Sequence, residues 1–360
     1  MTNQTSSPRR LLVLGGYGVA TGGLIEAAVQ DPTWSVVTAG RRAAPKTLFS
    51  GAPTPHHLRV DLLDRDAVRA AFDGLIDITD VVFGAYLERA DPIESVTVNT
   101  TLLRNALEGL IEAGARPGHV TLITGAKSYG PHLGAYKTPA KESDPRIMGP
   151  LFYSDQEDLL ADWARRTNAA WTVLRPDGVF GPSLGSPMNL VNGLGVFAAI
   201  SKELGLPLRF PGSAATWSSL VQATDTDILG RAALWSLRAP DARGQIFNVV
   251  NGDQFRWKHI WADLAEAFDM TTAEPQPMSL SVQMADKGPV WDRIVKRHGL
   301  ASTPYEQIAS WPFLDAVLNL PFDMVQSTIK IRQAGFADCI DSHQSLTRQL
   351  SRLRAAKLLP

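Results

Sequence analysis

Two side chains far apart in the sequence set the chemical question. Lys127 closes an apolar strand in His119-Val-Thr-Leu-Ile-Thr-Gly-Ala-Lys127-Ser-Tyr129-Gly130, and Tyr153 opens a helix in Leu151-Phe152-Tyr153-Ser154-Asp155-Gln156-Glu157-Asp158. Ligands of α/β sheets bind beyond the carboxyl ends of the strands, and both residues fall at that edge. An ammonium beside a phenol favours the phenolate and lowers its pKa. A tyrosine so placed donates a strong hydrogen bond to a substrate oxygen on which negative charge develops. The chemistry that suits such a pair is reduction of a polarised carbonyl system. Each residue alone has a plainer reading, a loop lysine in solvent and a tyrosine packed under its helix. The elements that carry them therefore matter.

Short apolar strands at 11–14, 35–38, 57–61, 80–83, 120–124 and 171–174 alternate with helical segments, among them 19–30, 95–113 and the one that Tyr153 opens. This alternation predicts an α/β fold, a Rossmann-type doubly wound parallel sheet. Near-continuous apolar strands fit burial on both faces. After Pro176 the chain turns glycine- and proline-rich, through Gly178, Gly181, Pro182, Gly185 and Pro187. A helix at 189–202 and a strand at 246–250 follow, and then helical segments at 257–267, 280–298, 323–334 and 342–357, with Trp257, Trp261, Trp291 and Trp311 among them. The expected division is a nucleotide-binding domain over residues 9–180, with 223–250 returning to it. A smaller, mostly helical C-terminal lobe over 181–222 and 251–360 would hold substrate.

Gly15-Gly-Tyr17-Gly18-Val19 follows the first strand and opens a helix. Glycines there permit a tight turn and close approach of a pyrophosphate, and the helix N-terminus supplies amides and positive potential. A GxxGxxG finger wants glycine where Thr21 stands. Gly22 and Gly23 lie just beyond, which would make the turn one residue longer. At the end of the second strand an acidic residue would bind a ribose 2′-hydroxyl. Gly40-Arg41-Arg42 stands there instead. Guanidinium groups hold a 2′-phosphate in bidentate fashion, so the expected cofactor is NADPH. Asp61-Leu62 would meet the adenine edge, although Asp61 reads equally as a cap for the next helix. Gly84-Ala85-Tyr86 ends the fourth strand, where backbone can run past the ribose and nicotinamide.

Short-chain dehydrogenase/reductases usually carry their catalytic pair as Tyr-x-x-x-Lys on one helix, but the fourth residue after Tyr153 is Glu157. The chain resembles a branch built differently, the progesterone 5β-reductase/iridoid synthase-like (PRISE) family of atypical short-chain dehydrogenase/reductases. That family takes its lysine from the end of the preceding strand. Its motif Thr-Gly-x-Lys-His-Tyr is matched by Thr124-Gly125-Ala-Lys127-Ser128-Tyr129. Its Phe-Tyr-Tyr-x-x-Glu-Asp is matched by Phe152-Tyr153-Ser154-Asp155-Gln156-Glu157-Asp158. The likeness continues through Arg175-Pro176-Asp-Gly178-Val179-Phe-Gly181, Met188-Asn189-Leu190, Phe247-Asn-Val-Val-Asn-Gly252-Asp253, Trp257-Lys258 and Gly335-Phe336, nearly the whole chain. Ser128, Thr21 and Ser154 depart from the pattern. The resemblance implies an enone reductase that delivers hydride from NADPH to the β-carbon of an α,β-unsaturated carbonyl. It implies Tyr153 on the carbonyl oxygen, Lys127 tuning the tyrosine, and Thr124, Gly125, Pro176, Gly178 and Val179 beside the cofactor. Tyr86, Met188, Asn189 and Phe313 are the implied substrate wall, with Phe313 reading equally as lobe core.

Bulk composition narrows the partners. The chain has 360 residues, 44% of them hydrophobic, and 35 basic against 36 acidic side chains for a net charge of −1. That balance leaves no electrostatic footprint for nucleic acid or an anionic membrane. The single cysteine, Cys339, excludes an internal disulfide and a cysteine-based zinc cluster, and no metal is expected. No apolar stretch reaches membrane-span length, so the expected location is cytoplasmic. The expected partner is a small hydrophobic enone, with at most a second copy of the chain as a homodimer. Two other functions fit a nucleotide-binding sheet: a sugar-nucleotide epimerase or dehydratase, which would want Tyr-x-x-x-Lys, and a redox sensor that binds NADP without turnover, which would need neither residue of the pair.

Overall fold

The computed structural model describes residues 9–45 and 54–360. Strands β1 (Arg9–Leu14), β2 (Trp34–Gly40), β3 (His56–Arg59), β4 (Asp80–Phe83), β5 (His119–Ile123) and β6 (Ala170–Pro176) join a last strand at Gln245–Val249 in one seven-stranded sheet. Every pairing is parallel, and the order is Gln245–Val249, β6, β5, β4, β1, β2, β3. All residues of β4 and β5 are buried, as a sheet covered on both faces requires.

Side chains alternate across a strand, and β1 shows it. Leu12 and Leu14 pack with Val68 and Phe72 of helix α2 (Arg65–Phe72), Leu103 and Leu107 of α3 (Pro92–Glu112), and Leu160 and Trp163 of α4 (Phe152–Thr167). Leu11 and Val13 face the opposite layer, with Leu24 and Ile25 of α1 (Gly22–Gln30) and Ile228 and Leu229 of the Thr226–Ser236 helix. Those last two helices touch backbone to backbone. A Cβ on Gly23 would lie 2.3 Å from the Thr226 carbonyl oxygen, and one on Gly230 would lie 2.5 Å from the Leu24 nitrogen. Substituting either glycine would force the pair apart.

The second core belongs to the lobe. It gathers α5 (Leu190–Glu203), Trp257 and Trp261 of the Trp257–Ala267 helix, Trp291, Trp311 and Leu350 around Phe210. The Ser342–Ala355 helix then returns to the helices on the sheet. Arg348 (2.7 Å), Gln349 (3.0 Å) and Ser345 all reach the fully buried Asp225 carboxylate. Arg352 bridges Asp227 (3.0 Å) and Glu26 of α1.

Three predicted helices change. The segment 280–298 is two helices, Leu280–Gln283 and Gly288–His298, because Gly288-Pro289 starts a new first turn, where proline's missing N–H costs nothing. Within 323–334 only Ile329–Gln333 is helical. The preceding residues are extended and paired to the 138–142 loop, with the Ala140 amide on the Val325 carbonyl and the Ser327 amide on the Ala140 carbonyl, both at 2.8 Å. The first helix starts at Gly22 rather than 19, since the glycine turn occupies those residues. Asp64, not Asp61, caps α2, through the Ala67 amide at 3.0 Å. Asp61 instead holds the Leu63 amide at 3.0 Å within its own turn.

Candidate active site

The chain runs from β1 outward to β2 and β3, then returns to β4 on the other side of β1. The carboxyl ends of β1 and β4 therefore flank a topological switch point, where an open α/β sheet binds its ligand. Gly15 sits there in a left-handed conformation (φ +76°), and a Cβ on it would lie 2.5 Å from the Ala85 nitrogen. Tyr17 also has positive φ (+68°) and meets His57 edge-on at 5.3 Å. Thr21, where the finger pattern wants glycine, donates its hydroxyl to the Gly15 (2.9 Å) and Gly18 (3.3 Å) carbonyls and so stitches the turn. Thr226 hooks it from outside, accepting from the Gly23 amide (3.1 Å) and donating to the Val19 carbonyl (2.8 Å). The amides of Val19 and Ala20 donate to no acceptor among the described residues. Two unspent amides at a helix entrance fit the pyrophosphate of a dinucleotide.

Arg41 is exposed, and its guanidinium bonds to nothing among the described residues. Arg42 instead reaches the Leu184 carbonyl in the turn-rich loop. Its own carbonyl accepts from His57 Nε2 at 2.8 Å, so His57 Nδ1 accepts the Thr38 hydroxyl, also at 2.8 Å. Burial holds the His57 pKa below the usual imidazole range, which keeps that tautomer neutral. The arginine turn is thus fixed from behind, with the Arg41 guanidinium left outward. On the β4 side, Asn99 clamps Leu87 through both amide and carbonyl at 2.8 Å, and so orders the Gly84–Ala85–Tyr86 exit. Leu62 is buried and Asp61 is engaged in its turn.

The lysine and tyrosine reach the same edge. β5 runs into Thr124 and Gly125 and a one-turn helix, Ala126–Tyr129, that carries Lys127. Tyr153 lies in the first turn of α4, 8% exposed, with its ring over Gly125; a Cβ there would lie 3.1 Å from the phenol oxygen. Phe152 packs edge-on against Tyr153 at 4.4 Å, and Tyr86 stacks on Phe152 at 5.4 Å. Burial raises the Tyr153 pKa, and Tyr86 and Glu88 add to the rise. The Lys127 side chain is exposed, and its charge is felt at His132, whose pKa burial and that charge both depress. The expected lowering of the phenol pKa by the ammonium is therefore absent, because desolvation dominates where the lysine points to solvent. The Tyr153 hydroxyl has no partner among the described residues, and neither do the buried hydroxyls of Thr124 and Ser128.

β6 delivers Pro176, Gly178 and Val179 beside this edge, with Asp177 between them. The Asp177 amide donates to Thr224 Oγ1 (2.9 Å), and its Oδ1 accepts from the Gly178 amide (2.8 Å). Its Oδ2 is shielded and unpartnered, and burial pushes the carboxyl up to about 7. Among the residues read as substrate wall, Asn189 is only 2% exposed and caps α5. It accepts from the Asn192 amide (3.1 Å) and donates to Ser183, so its amide is already spent. Phe313 is half-buried against the lobe core. Met188 is half-buried beside a cavity of about 470 Å³ that Pro187, Met284, Tyr305 and Trp311 line. Sequence reasoning passed over Thr226, His57 and Asp177. Only the polar residue directly after Pro176 left a readable trace.

Comparison with known proteins decides the family. The model of the PRISE-like Rossmann-fold domain matches residues 60–360. Relatives include an (S)-8-oxocitronellyl enol synthase of Camptotheca acuminata, 33% identical over 364 residues, covering 97% of this chain and 93% of that one. A 3-oxo-Δ(4,5)-steroid 5β-reductase of Arabidopsis thaliana is 31% identical over 362 residues, covering 97% and 92%. The chain belongs to the PRISE-like Rossmann-fold family. Solved structures show the same fold at greater distance. A UDP-glucose 4-epimerase of Thermotoga maritima with UDP-glucose superposes with a TM-score of 0.66 at 15% identity, covering 96% of this chain and 98% of that one. The Bordetella bronchiseptica enzyme WbmG with NAD and UDP gives 0.67 at 18%, covering 98% and 97%. These likenesses establish the Rossmann fold and nothing finer. Among the described residues, no helix is long and apolar enough to cross a membrane.

Proposed function

We propose that this protein is an NADPH-dependent oxidoreductase that reduces the activated C=C bond of α,β-unsaturated carbonyl compounds. The observation that carries the reading is Tyr153, a buried residue at the sheet's carboxyl edge whose hydroxyl bonds to nothing among the described residues, in a chain about a third identical to enzymes named for enol synthesis and enone reduction. A reduced nicotinamide, when bound, supplies the hydride that attacks the β-carbon. Every other task falls to the chain. The Val19 and Ala20 amides hold the pyrophosphate, and Arg41 with Arg42 hold a 2′-phosphate. The backbones at Gly84–Tyr86 and Pro176–Val179 flank the nicotinamide half. A raised phenol pKa keeps Tyr153 protonated, which suits a donor aimed at a carbonyl oxygen as negative charge builds there. Lys127, free to move, supplies positive charge once a ligand closes the edge. The Tyr86–Phe152 stack keeps water from the reacting atoms. The α-carbon takes its proton from solvent.

A freely diffusing hydride donor fits a cytoplasmic location. The epimerase reading loses its support at Glu157, which is buried in an ion pair where a lysine would be needed. The test is NADPH oxidation by the purified protein across an enone series, from a small ketone through a linear dialdehyde to a 3-oxo-Δ4-steroid, with products identified. The expected product is the saturated carbonyl compound. An allylic alcohol would overturn the mechanism, and NADPH binding with no turnover of any member would overturn the enzyme.

A further inference from the structure

We infer that Glu157 and Arg175 are positioning residues that hold the Lys127 turn against the tyrosine helix, doing across the fold what a lysine on that helix does in the Tyr-x-x-x-Lys arrangement. The inference rests on the assignment of Tyr153 and Lys127 above. Glu157 lies one helical turn after Tyr153, so the two side chains share a face of α4. It is 4% exposed, and Arg175, near the end of β6, is 5% exposed. Arg175 grips it as a fork, with Nη2 at 2.8 Å and 3.0 Å from the two carboxylate oxygens and Nε at 3.2 Å. Arg146 reaches the same carboxylate from the 131–151 loop at 3.3 Å.

The guanidinium has a second engagement. It lies 5.3 Å over the ring of Tyr129 and donates to the Tyr129 hydroxyl at 3.3 Å. That hydroxyl in turn donates to Asn248 Oδ1 at 2.5 Å. Asn248 belongs to the outermost strand, Gln245–Val249, and its backbone N–H donates to the Glu142 carboxylate at 2.8 Å. Tyr129 closes the same one-turn helix that carries Lys127, and the Gly130 amide bonds the Lys127 carbonyl at 3.1 Å. One buried cation therefore joins the tyrosine helix, β6, the lysine turn and the sheet edge. The lysine's backbone is fixed while its ammonium stays exposed.

Stability is a poor reason for such a pair. Buried ion pairs can often be exchanged for packed apolar residues at no loss, because desolvation offsets the attraction. A fork bridging the two segments that carry the chemistry has a geometric reason instead.

The experiment uses Tyr129→Phe, which removes only a hydroxyl, and Glu157→Gln, which keeps the shape. Each is made alone and in the Tyr153→Phe background. Each single change is expected to lower kcat about tenfold while NADPH affinity stays within about twofold. In the Tyr153→Phe background the same changes are expected to cost about twofold or less, since no phenol remains to be aligned. Equal losses in both backgrounds, or losses that follow cofactor affinity, would mean a staple of the fold only. Amide hydrogen exchange needs no substrate and stands if no enone is turned over. Exchange at Ser128 and Gly130 is expected to quicken about tenfold in Tyr129→Phe with the core of α4 unchanged, and unaltered exchange there would overturn the inference. Full activity in Tyr153→Phe alone would instead reject the tyrosine assignment, a separate result.

Discussion

At the glycine turn, Thr21 and Thr226 spend their hydroxyls on three carbonyls and an amide, and His57 spends both ring nitrogens on Thr38 and Arg42. At the Tyr153 edge, the hydroxyls of Tyr153, Thr124 and Ser128 and one Asp177 oxygen are spent on nothing among the described residues. Leaving a buried polar group unpaired costs about 1–3 kcal/mol. Such groups persist where a ligand provides the missing partner. The cofactor end is therefore rigid before binding, with its free capacity in two amides and exposed guanidinium. The Tyr153 edge holds its capacity in side chains, and the buried atoms of Thr124, Ser128 and Asp177 carry a standing cost in stability.

Changes at the two ends should break in different ways. The largest effect is expected from Tyr153→Phe, which should lower turnover about 10²–10³-fold, the usual loss for one oxyanion donor, with NADPH affinity intact by fluorescence titration. Adding Lys127→Ala should cost much less than the product of the single losses, because the pair acts as a unit. At the other end, Arg41→Ala/Arg42→Ala should cut NADPH affinity about 10–100-fold, the worth of a charged contact of about 1.5–3 kcal/mol. NADH affinity should hardly move. Equal loss for both cofactors would put the arginines elsewhere.

Thr226→Val keeps the volume but orphans the Gly23 amide and stops donation to the Val19 carbonyl. It should cost about 1–3 kcal/mol in denaturant unfolding and weaken both cofactors alike. The smallest and most pH-dependent change is expected from Asp177→Asn. The folded carboxyl titrates near 7 and the unfolded one near 3.8, so the folded chain holds a proton that the unfolded chain releases between those values. Wild-type stability should fall as pH rises through that window. The variant should lack this slope and melt higher than wild type at pH 8, with the gap closing toward pH 4. Parallel curves would show that Asp177 is ionised throughout.

The cofactor end was the more legible in the sequence because backbone builds it. The glycines, the strand ahead of them and the paired arginines sit within one short stretch, and all seven strands read from the sequence fall in the sheet. Tyr153 and Lys127 were legible as residues but not as electrostatics. Their motif says where the side chains start, and burial, to which Tyr86 contributes from beyond β4, decides the phenol's pKa. Glu157 read only as a missing lysine, since its partner Arg175 comes from a strand beyond the helix end. Thr226 gave no signal, for its role depends on two helices crossing at Gly23. In the lobe, periodicity overran Gly288 and the extended pairing near Gln326, both fixed by contacts from elsewhere in the chain.

The Ser342–Ala355 helix has a consequence for synthesis. Its Arg352 meets Glu26 across 326 residues of sequence, its Arg348 pairs with the buried Asp225, and its Ser345 and Gln349 hydrogen-bond the same carboxylate. At about 5–20 residues per second, a ribosome needs roughly 15–65 s between those two residues. Throughout that time the first helix after the glycine turn lacks its outer clamp, and Asp225, once made, waits for Ser345, Arg348 and Gln349. The nascent nucleotide-binding half thus waits, incompletely locked, for the last helix to emerge, and a chain stalled before residue 342 would present that half to the cell's quality control as unfinished.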